Sequence, residues 1–125
     1  MFLKTKSKKV MLVDDEEDFL MAIKFFLEAK GYNVIYAHNG KEALEKVLEM
    51  PDIIFLDIKL PDLNGYEIVR RIRENTELTE IPIIMLTCST HSKDIFESQD
   101  IGVTDYLMKT VEFEELLIVI KKYTK

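Results

Sequence analysis

The sequence predicts a doubly wound α/β fold, in which a five-stranded parallel sheet is covered by five helices. Two observations lead to this prediction. Short apolar runs typical of strands alternate along the whole chain with segments whose apolar residues recur at helical spacing. The length of 125 residues is close to the usual size of one domain. Strict alternation of strand and helix favours a parallel sheet with helices on both faces.

The first half of the chain holds three predicted strands and two predicted helices. The strands cover residues 9–14, 33–37 and 53–57, and the first helix covers about 17–30. Its apolar side chains form a single stripe, and Gly31 follows it where a left-handed cap is often needed. The second helix begins at Asn39, with Glu42 three residues later in a capping-box pattern, and ends before Pro51. Leu48 is expected on its buried side.

The second half continues the alternation. Strands are predicted at residues 82–87 and 105–109, and helices at about 66–74, 92–100 and 112–123. The loop at residues 59–65 contains the turn-forming residues Pro61, Asn64 and Gly65. The helix at 92–100 has few apolar residues to anchor it, so we expect an element of low stability that is able to move.

The strands differ in polarity, and this difference predicts their order. Strands one, three and four are continuously apolar, as buried central strands are, whereas strands two and five carry more polar residues, as edge strands do. These properties favour the flavodoxin-like order 2-1-3-4-5. In that order a ligand crevice lies at the carboxyl ends of strands one and three.

Composition excludes several classes of protein. Hydrophobic residues make up 47% and charged residues 32%, as is usual for a globular domain, and the net charge of -6 argues against nucleic-acid binding by the chain itself. The single cysteine favours a reducing compartment, and no apolar stretch approaches a membrane span. We therefore expect a cytoplasmic protein, without membrane attachment, with a flexible basic tail at residues 1–8 and one domain at 9–125.

Charged residues follow the apolar runs of three predicted strands. Asp14 and Asp15 close the first run, Asp57 closes the third and Lys109 ends the fifth. Parallel strands bring these ends to one edge, which would suit a hard cation and a phosphoryl group. An aspartate there can act as a nucleophile toward phosphorus. Acids after a strand also often cap the next helix, and some of the acids that follow Asp15 are expected to do so.

At these positions the chain resembles the receiver domain of two-component response regulators over its whole folded length. The matching stretches, at the family's spacing, are Val10-Met-Leu-Val-Asp-Asp15, Phe55-Leu-Asp57-Ile-Lys-Leu-Pro61-Asp-Leu-Asn-Gly65, Met85-Leu-Thr87 and Gly102-Val-Thr-Asp-Tyr106-Leu-Met-Lys109. The resemblance implies a signalling protein rather than an enzyme. Its expected partners are a histidine kinase or phosphotransfer protein and an unidentified output partner.

The resemblance also implies a role for each matching residue. Asp57 would accept the phosphoryl group. Mg²⁺ would be bound by Asp15, Asp57 and the backbone carbonyl of Lys59, and through water by Asp14. Lys109 and Thr87 would bind the phosphoryl oxygens. Thr87 and Tyr106 would act as the switch that remodels the face formed by helix four, strand five and helix five, where the domain would remain monomeric or form a phosphorylation-dependent homodimer.

The sequence departs from the family pattern after the lysine, where Thr110 replaces the usual proline and its frequent cis bond. A cis bond before a non-proline residue costs roughly 3–4 kcal/mol, so either the loop accepts this strain or the bond is trans and Lys109 approaches differently. Lys59 and Ser89 occupy positions that in the family tune the lifetime of the phosphoryl group. Cys88 is expected to be a small buried hydrophobe.

Three other functions fit parts of the pattern. A phosphohydrolase of the haloacid dehalogenase type would need an aspartate where Lys59 stands. A flavodoxin relative would need a phosphate-binding loop where the acidic run from Asp14 to Asp18 would repel phosphate. A degenerate receiver, acting only as a protein-binding module, is favoured by Thr110 alone. The chain is expected to be either a single-domain regulator or the receiver of a longer protein.

Overall fold

The computed structural model describes residues 7–88 and 101–125, and the strands within these ranges form one parallel sheet. Its order is β2-β1-β3-β4-β5, which confirms the predicted order. The strands are β1 (Lys9–Val13), β2 (Asn33–Ala37), β3 (Ile53–Asp57), β4 (Ile83–Thr87) and β5 (Asp105–Met108). Each boundary lies within one residue of the predicted one.

Helices follow the strands as predicted. They are α1 (Glu17–Ala29), α2 (Gly40–Lys46), α3 (Gly65–Glu74) and the C-terminal helix (Phe113–Tyr123), with short 3₁₀ turns at Val47–Glu49 and Thr76–Leu78. The helix predicted at 92–100 lies outside the described residues, as do Ser89 and most of the predicted tail. Within the described ranges, we find no helix with the length and apolar character needed to span a membrane.

Two asparagines fix where α2 and α3 begin. The side chain of Asn39 accepts a hydrogen bond from the backbone N–H of Glu42 at 2.9 Å, and that of Asn64 accepts one from Tyr66 at 2.7 Å. Each bond satisfies a backbone donor that the first helical turn leaves without a partner. The capping pattern read from Asn39 and Glu42 is thus confirmed.

The end of α2 differs from the prediction. The helix tightens into the 3₁₀ turn at Val47–Glu49, where each residue rotates by about 120° instead of 100°. Leu48 is therefore 65% exposed, so the prediction that it faces the core was wrong, while Ala43 and Val47 are buried as expected.

Both faces of the sheet are covered by an apolar layer. α2 and α3 pack with Met11, Ile54 and Met85 on one face, and α1 and the C-terminal helix pack with Leu12 and Phe55 on the other. β3 and β4 are buried along their whole length, whereas β2 and β5 are only partly buried, as expected of edge strands. Because all neighbouring strands pair in parallel, their carboxyl ends lie at the same edge of the sheet.

The register of the sheet brings the functional candidates to one edge. Val13 is level with Leu56, and Asp57 is level with Leu86, so the residues that follow β1 emerge beside the end of β3. The turn after β3 requires Gly65, since a Cβ atom there would lie 2.8 Å from the Ile58 Cα and 2.9 Å from the Asp57 carbonyl oxygen. The chain thus folds back tightly beside Asp57.

Candidate functional site

Three carboxylates meet at the carboxyl edge of the sheet. Asp14 and Asp57 are 2% and 8% exposed, while Asp15 is exposed to solvent. One carboxylate oxygen from each of the three lies within 4.8 Å of the others. Groups at this separation repel one another when ionised, so the site is arranged to receive positive charge.

Lys109 provides a positive charge inside this cluster. Its ammonium nitrogen lies 2.8 Å from Asp14 Oδ2 and 3.6 Å from Asp57 Oδ2, and its side chain is 9% exposed. The backbone N–H of Lys109 donates to the Thr87 carbonyl at 2.9 Å, which ties the end of β5 to that of β4. The peptide bonds of the described residues are all trans, so Lys109 reaches both aspartates without a cis bond before Thr110.

Two neighbours of Lys109 were not identified from the sequence. Glu16 Oε1 lies 2.6 Å from the ammonium nitrogen, and the ring centroid of Phe19 lies 4.7 Å from it. Some of the acids after Asp15 were expected to cap α1 or to interact with its dipole. Glu17 and Asp18 lie in the first turn of α1, whereas the Glu16 side chain makes no capping hydrogen bond. A long-range contact between residues 16 and 109 has no periodic signature in the sequence, and only the folded sheet brings the two together.

Burial and charge shift the pKa values of these groups. Desolvation raises the pKa of Asp57, and the charge of Asp14 adds to this effect, while Lys109 and a hydrogen bond from the Lys59 N–H oppose it. Burial by itself would lower the pKa of Lys109, but its close contacts with Asp14 and Glu16 and the charges of Asp14 and Asp57 outweigh it and raise that pKa. Lys109 is therefore protonated at neutral pH.

Thr87 and Tyr106, the two predicted switch residues, lie in the neighbouring strands β4 and β5. Thr87 ends β4 and is 8% exposed, and Tyr106 is half-buried in β5. The Tyr106 hydroxyl lies 3.0 Å from the hydroxyl of Tyr66, which is itself buried at the start of α3. Sequence reasoning did not pair these two tyrosines.

The loop after Asp57 is held at the mouth of the site. The Lys59 N–H donates to Asp57 Oδ1 at 3.2 Å, while the Lys59 side chain is exposed. Farther along the loop, the Asp62 carboxylate accepts hydrogen bonds from the N–H groups of Gly40 and Lys41 at 2.7 and 3.0 Å, so it caps α2 from outside the helix. Cys88 is exposed, and the expectation of a buried thiol was wrong.

The donor set of the cluster fits a small hard cation. All three groups offer carboxylate oxygens, which Mg²⁺ prefers, and the exposed Asp15 leaves room for the water that this ion retains. Asp14, Asp15 and Asp57 are therefore the residues able to hold such an ion.

Known proteins share both the sequence pattern and the fold. The family described as "Response regulator receiver domain" matches residues 10–121. Among curated proteins, the chain is 39% identical over 104 residues to the alkaline phosphatase synthesis transcriptional regulatory protein PhoP of Bacillus subtilis, covering 82% of this chain and 42% of that protein. It is also 39% identical over 114 residues to the response regulator ArlR of Staphylococcus saprophyticus, covering 90% and 50%. The chain thus spans about half the length of these relatives.

Solved structures give the same result. Chemotaxis protein CheY4 of Vibrio cholerae superposes with a TM-score of 0.90 at 31% identity, over 94% of this chain and 99% of that chain. The receiver domain of a sensor histidine kinase from Pseudomonas aeruginosa PAO1 superposes with a TM-score of 0.86 at 28% identity, over 94% and 98%. That receiver domain has a magnesium ion coordinated in its active site cleft.

Proposed function

Because this chain belongs to the response regulator receiver domain family of two-component systems, we propose that it is a phosphoacceptor switch whose acceptor is Asp57. The observation that carries the proposal is the cluster of Asp14, Asp15 and Asp57 around one point, with the Lys109 ammonium inside it. The donor is a histidine kinase or a phosphotransfer protein that carries phosphohistidine.

The transfer exchanges one bond to phosphorus for another. An Asp57 carboxylate oxygen attacks the phosphorus atom, the P–N bond to the donor imidazole breaks, and the leaving nitrogen keeps the electron pair and takes up a proton. Asp57 is suited to this role because it ends the apolar strand β3 and is held by the Lys59 N–H, which leaves its other oxygen free of that backbone hydrogen bond. The product is an aspartyl phosphate.

Positive charge has to balance the phosphoryl oxygens during this transfer. Mg²⁺ would be held by Asp15, Asp57 and the Lys59 carbonyl, and by Asp14 through water, and it would supply part of this positive charge. The Lys109 ammonium supplies the next positive charge, since it already lies 3.6 Å from Asp57 Oδ2. The Thr87 hydroxyl donates a hydrogen bond to a phosphoryl oxygen from the end of the neighbouring strand.

The output follows from the added charge. A phosphoryl group brings about 1.5 to 2 negative charges and strong acceptors, which is enough to bias an element with two conformations. Thr87 moves toward the phosphoryl group and Tyr106 turns inward behind it. The surface remodelled by this movement includes β5 and the C-terminal helix, and it recruits an output partner or a second copy of the domain. The helix predicted at 92–100, which was expected on the same face, lies outside the described residues.

Intact-mass spectrometry after incubation with acetyl phosphate tests the proposal. With Mg²⁺ the protein should gain the mass of one phosphoryl group, and the gain should disappear when Mg²⁺ is chelated. Asp57→Ala should abolish it, because the nucleophile is gone. Asp18→Ala is the matched control: it removes an exposed carboxylate from the first turn of α1 and should leave the gain intact.

A slow donor or a short-lived product would hide a real acceptor. Beryllofluoride, which occupies the position of a phosphoryl group, covers that case because it needs no transfer. Wild-type protein that neither gains mass nor binds beryllofluoride in the presence of Mg²⁺ would refute phosphoacceptor function and favour a module that only binds proteins.

A further inference from the structure

We propose that Glu16 is a positioning residue that holds the Lys109 ammonium in a resting position and thereby slows phosphorylation of Asp57. This inference rests on the proposed function, and it names a control on that same site. The Glu16 carboxylate competes with the incoming phosphoryl group for Lys109. The proposal follows from the three contacts of the ammonium group.

The ammonium nitrogen lies closest to the residue that takes no part in the proposed metal site. It is 2.6 Å from Glu16 Oε1 and 2.8 Å from Asp14 Oδ2, but 3.6 Å from Asp57 Oδ2. The contact with Glu16 is a charge-assisted hydrogen bond, whereas the contacts with Asp14 and Asp57 are ion pairs. In this arrangement the Lys109 ammonium is hydrogen-bonded to Glu16 and not to Asp57, the proposed phosphoryl acceptor.

The Glu16 backbone is fixed on both sides, so its side chain has a defined direction. Its N–H donates to Asp14 Oδ1 at 2.9 Å, and its carbonyl accepts the first helical hydrogen bond of α1, from Leu20, at 3.0 Å. The carboxylate makes no capping bond to the helix that it precedes. Helix capping therefore does not account for it, and its bond with Lys109 does.

Phosphoryl transfer has to break or lengthen this bond. The phosphoryl oxygens develop their charge at Asp57, and Lys109 has to leave Glu16 to approach them. Glu16 also places a negative charge near an anionic donor, but its side chain is 65% exposed, so solvent screens much of this charge and the bond with Lys109 is the larger effect. Both effects raise the barrier to phosphorylation, and both disappear when the carboxylate is removed.

Two variants and a control distinguish the effect of the Glu16–Lys109 bond from that of the negative charge of Glu16. Glu16→Gln removes the charge. Glu16→Asp keeps the charge but shortens the side chain by one methylene, so the carboxylate no longer reaches Lys109 from the same backbone position. Glu17→Gln removes an equal charge one residue later, from a carboxylate that lies 2.6 Å from His38 Nε2 instead of contacting Lys109.

The first readout is the rate of phosphorylation by acetyl phosphate with Mg²⁺, followed by intact mass. Glu16→Gln and Glu16→Asp should both be faster than wild type by about twofold to fivefold, the range expected for the loss of one largely exposed ion pair. Glu17→Gln should match wild type. A Glu16→Gln rate equal to or below that of wild type would overturn the proposal, and so would a Glu16→Asp rate equal to that of wild type, since charge alone would then act.

The second readout is binding of beryllofluoride in the presence of Mg²⁺, which involves no chemical step. The dissociation constant of Glu16→Gln should fall by a similar factor, because Lys109 is then free to approach the phosphoryl analogue. An unchanged denaturation midpoint shows that the variant has not acted through unfolding. Failure of the proposed function is recognisable separately, since wild-type protein would then neither gain a phosphoryl group nor bind the analogue.

Discussion

A phenylalanine in the middle of the sheet and an aspartate at its carboxyl edge are buried to almost the same degree, but their burial has opposite effects on the stability of the fold. Phe55 in β3 is 1% exposed, and Asp14 at the end of β1 is 2% exposed. Burial of the apolar ring stabilises the fold by roughly 25 cal/mol for each Å² removed from water. Burial of a carboxylate costs free energy unless a partner compensates for lost hydration.

The two regions therefore have different roles in the molecule. Residues in the middle of the sheet are accounted for by stability alone. At the edge, Asp14 and Asp57 share the Lys109 ammonium, and Asp57 keeps a raised pKa in spite of it. An edge arranged only for stability would hold neutral groups, so its charges indicate a function.

The largest effect should come from the middle of the sheet. Phe55→Ala removes a buried ring from the layer between the sheet, α1 and the C-terminal helix, and should lower the free energy of unfolding by about 3–5 kcal/mol. Urea denaturation measures this loss. Phe25→Ala is the control, since its ring on α1 is 64% exposed and its loss should cost less than about 0.5 kcal/mol. Equal losses in the two variants would contradict the assignment of the core.

The second largest loss of stability should come from a variant at the carboxyl edge of the sheet. Lys109→Met leaves Asp14 and Asp57 without their ammonium partner, and without divalent ions at pH 8 it should cost about 2–4 kcal/mol, slightly less than for a fully buried pair. Added Mg²⁺ should reduce the cost, because a cation then replaces the lost charge. Urea denaturation with and without Mg²⁺ measures both quantities.

A surface ion pair provides the control for Lys109. Lys24 Nζ lies 3.0 Å from Glu28 Oε1, a pair on the solvent side of α1. Lys24→Met should change the free energy of unfolding by less than about 1 kcal/mol, with no dependence on Mg²⁺. If the two lysine variants lose the same stability, the edge would not differ from the surface, and the comparison between the regions would fail.

The fold could be predicted from the sequence because each of its signals is local. Asn39 with Glu42 marks the start of α2, and Ile53 to Leu56 form an unbroken apolar run that is typical of a buried strand. Strand order followed from the polarity of the edge strands. Leu48 was assigned to the wrong side because the change from an α-helix to a 3₁₀ turn leaves no clear sign in the pattern of apolar residues.

The site was predicted in part, and the part that was missed is non-local. Asp14, Asp57 and Lys109 were expected to meet because parallel strands end at one edge. The contacts of Lys109 with Glu16 and Phe19, and that of Tyr66 with Tyr106, depend on how side chains turn after the backbone has placed them. No spacing rule encodes such contacts, so the sequence could supply only the candidates.

The smallest expected change in the free energy of unfolding is an increase, whereas the variants above lower it. Asp57→Asn removes an ionised carboxylate whose burial is incompletely compensated, and it should stabilise the metal-free protein at pH 7–8 by less than Lys109→Met destabilises it. The pH dependence fixes the cause. Since the folded-state pKa of Asp57 is raised, the folded protein holds its proton more tightly than the unfolded chain. The contribution of Asp57 to wild-type stability therefore falls as pH rises from about 4 through the raised pKa, and the advantage of Asp57→Asn grows over the same window.

Asp62→Asn provides a control, because its effect on stability should depend on pH in the opposite direction to that of Asp57→Asn. Hydrogen bonds from the N–H groups of Gly40 and Lys41 lower the pKa of Asp62, so this carboxylate stabilises the fold above the unfolded-state pKa and loses that contribution as pH falls through the lowered one. Asp62→Asn should therefore destabilise the protein at pH 7 and approach wild type in acid. Urea denaturation at several pH values should give pH curves for the two variants that diverge from wild type in opposite directions. Curves that diverge in the same direction would mean that burial at the edge of the sheet does not disfavour the charge of Asp57. The Lys109 variants would then be the only remaining evidence that the edge and the middle of the sheet differ.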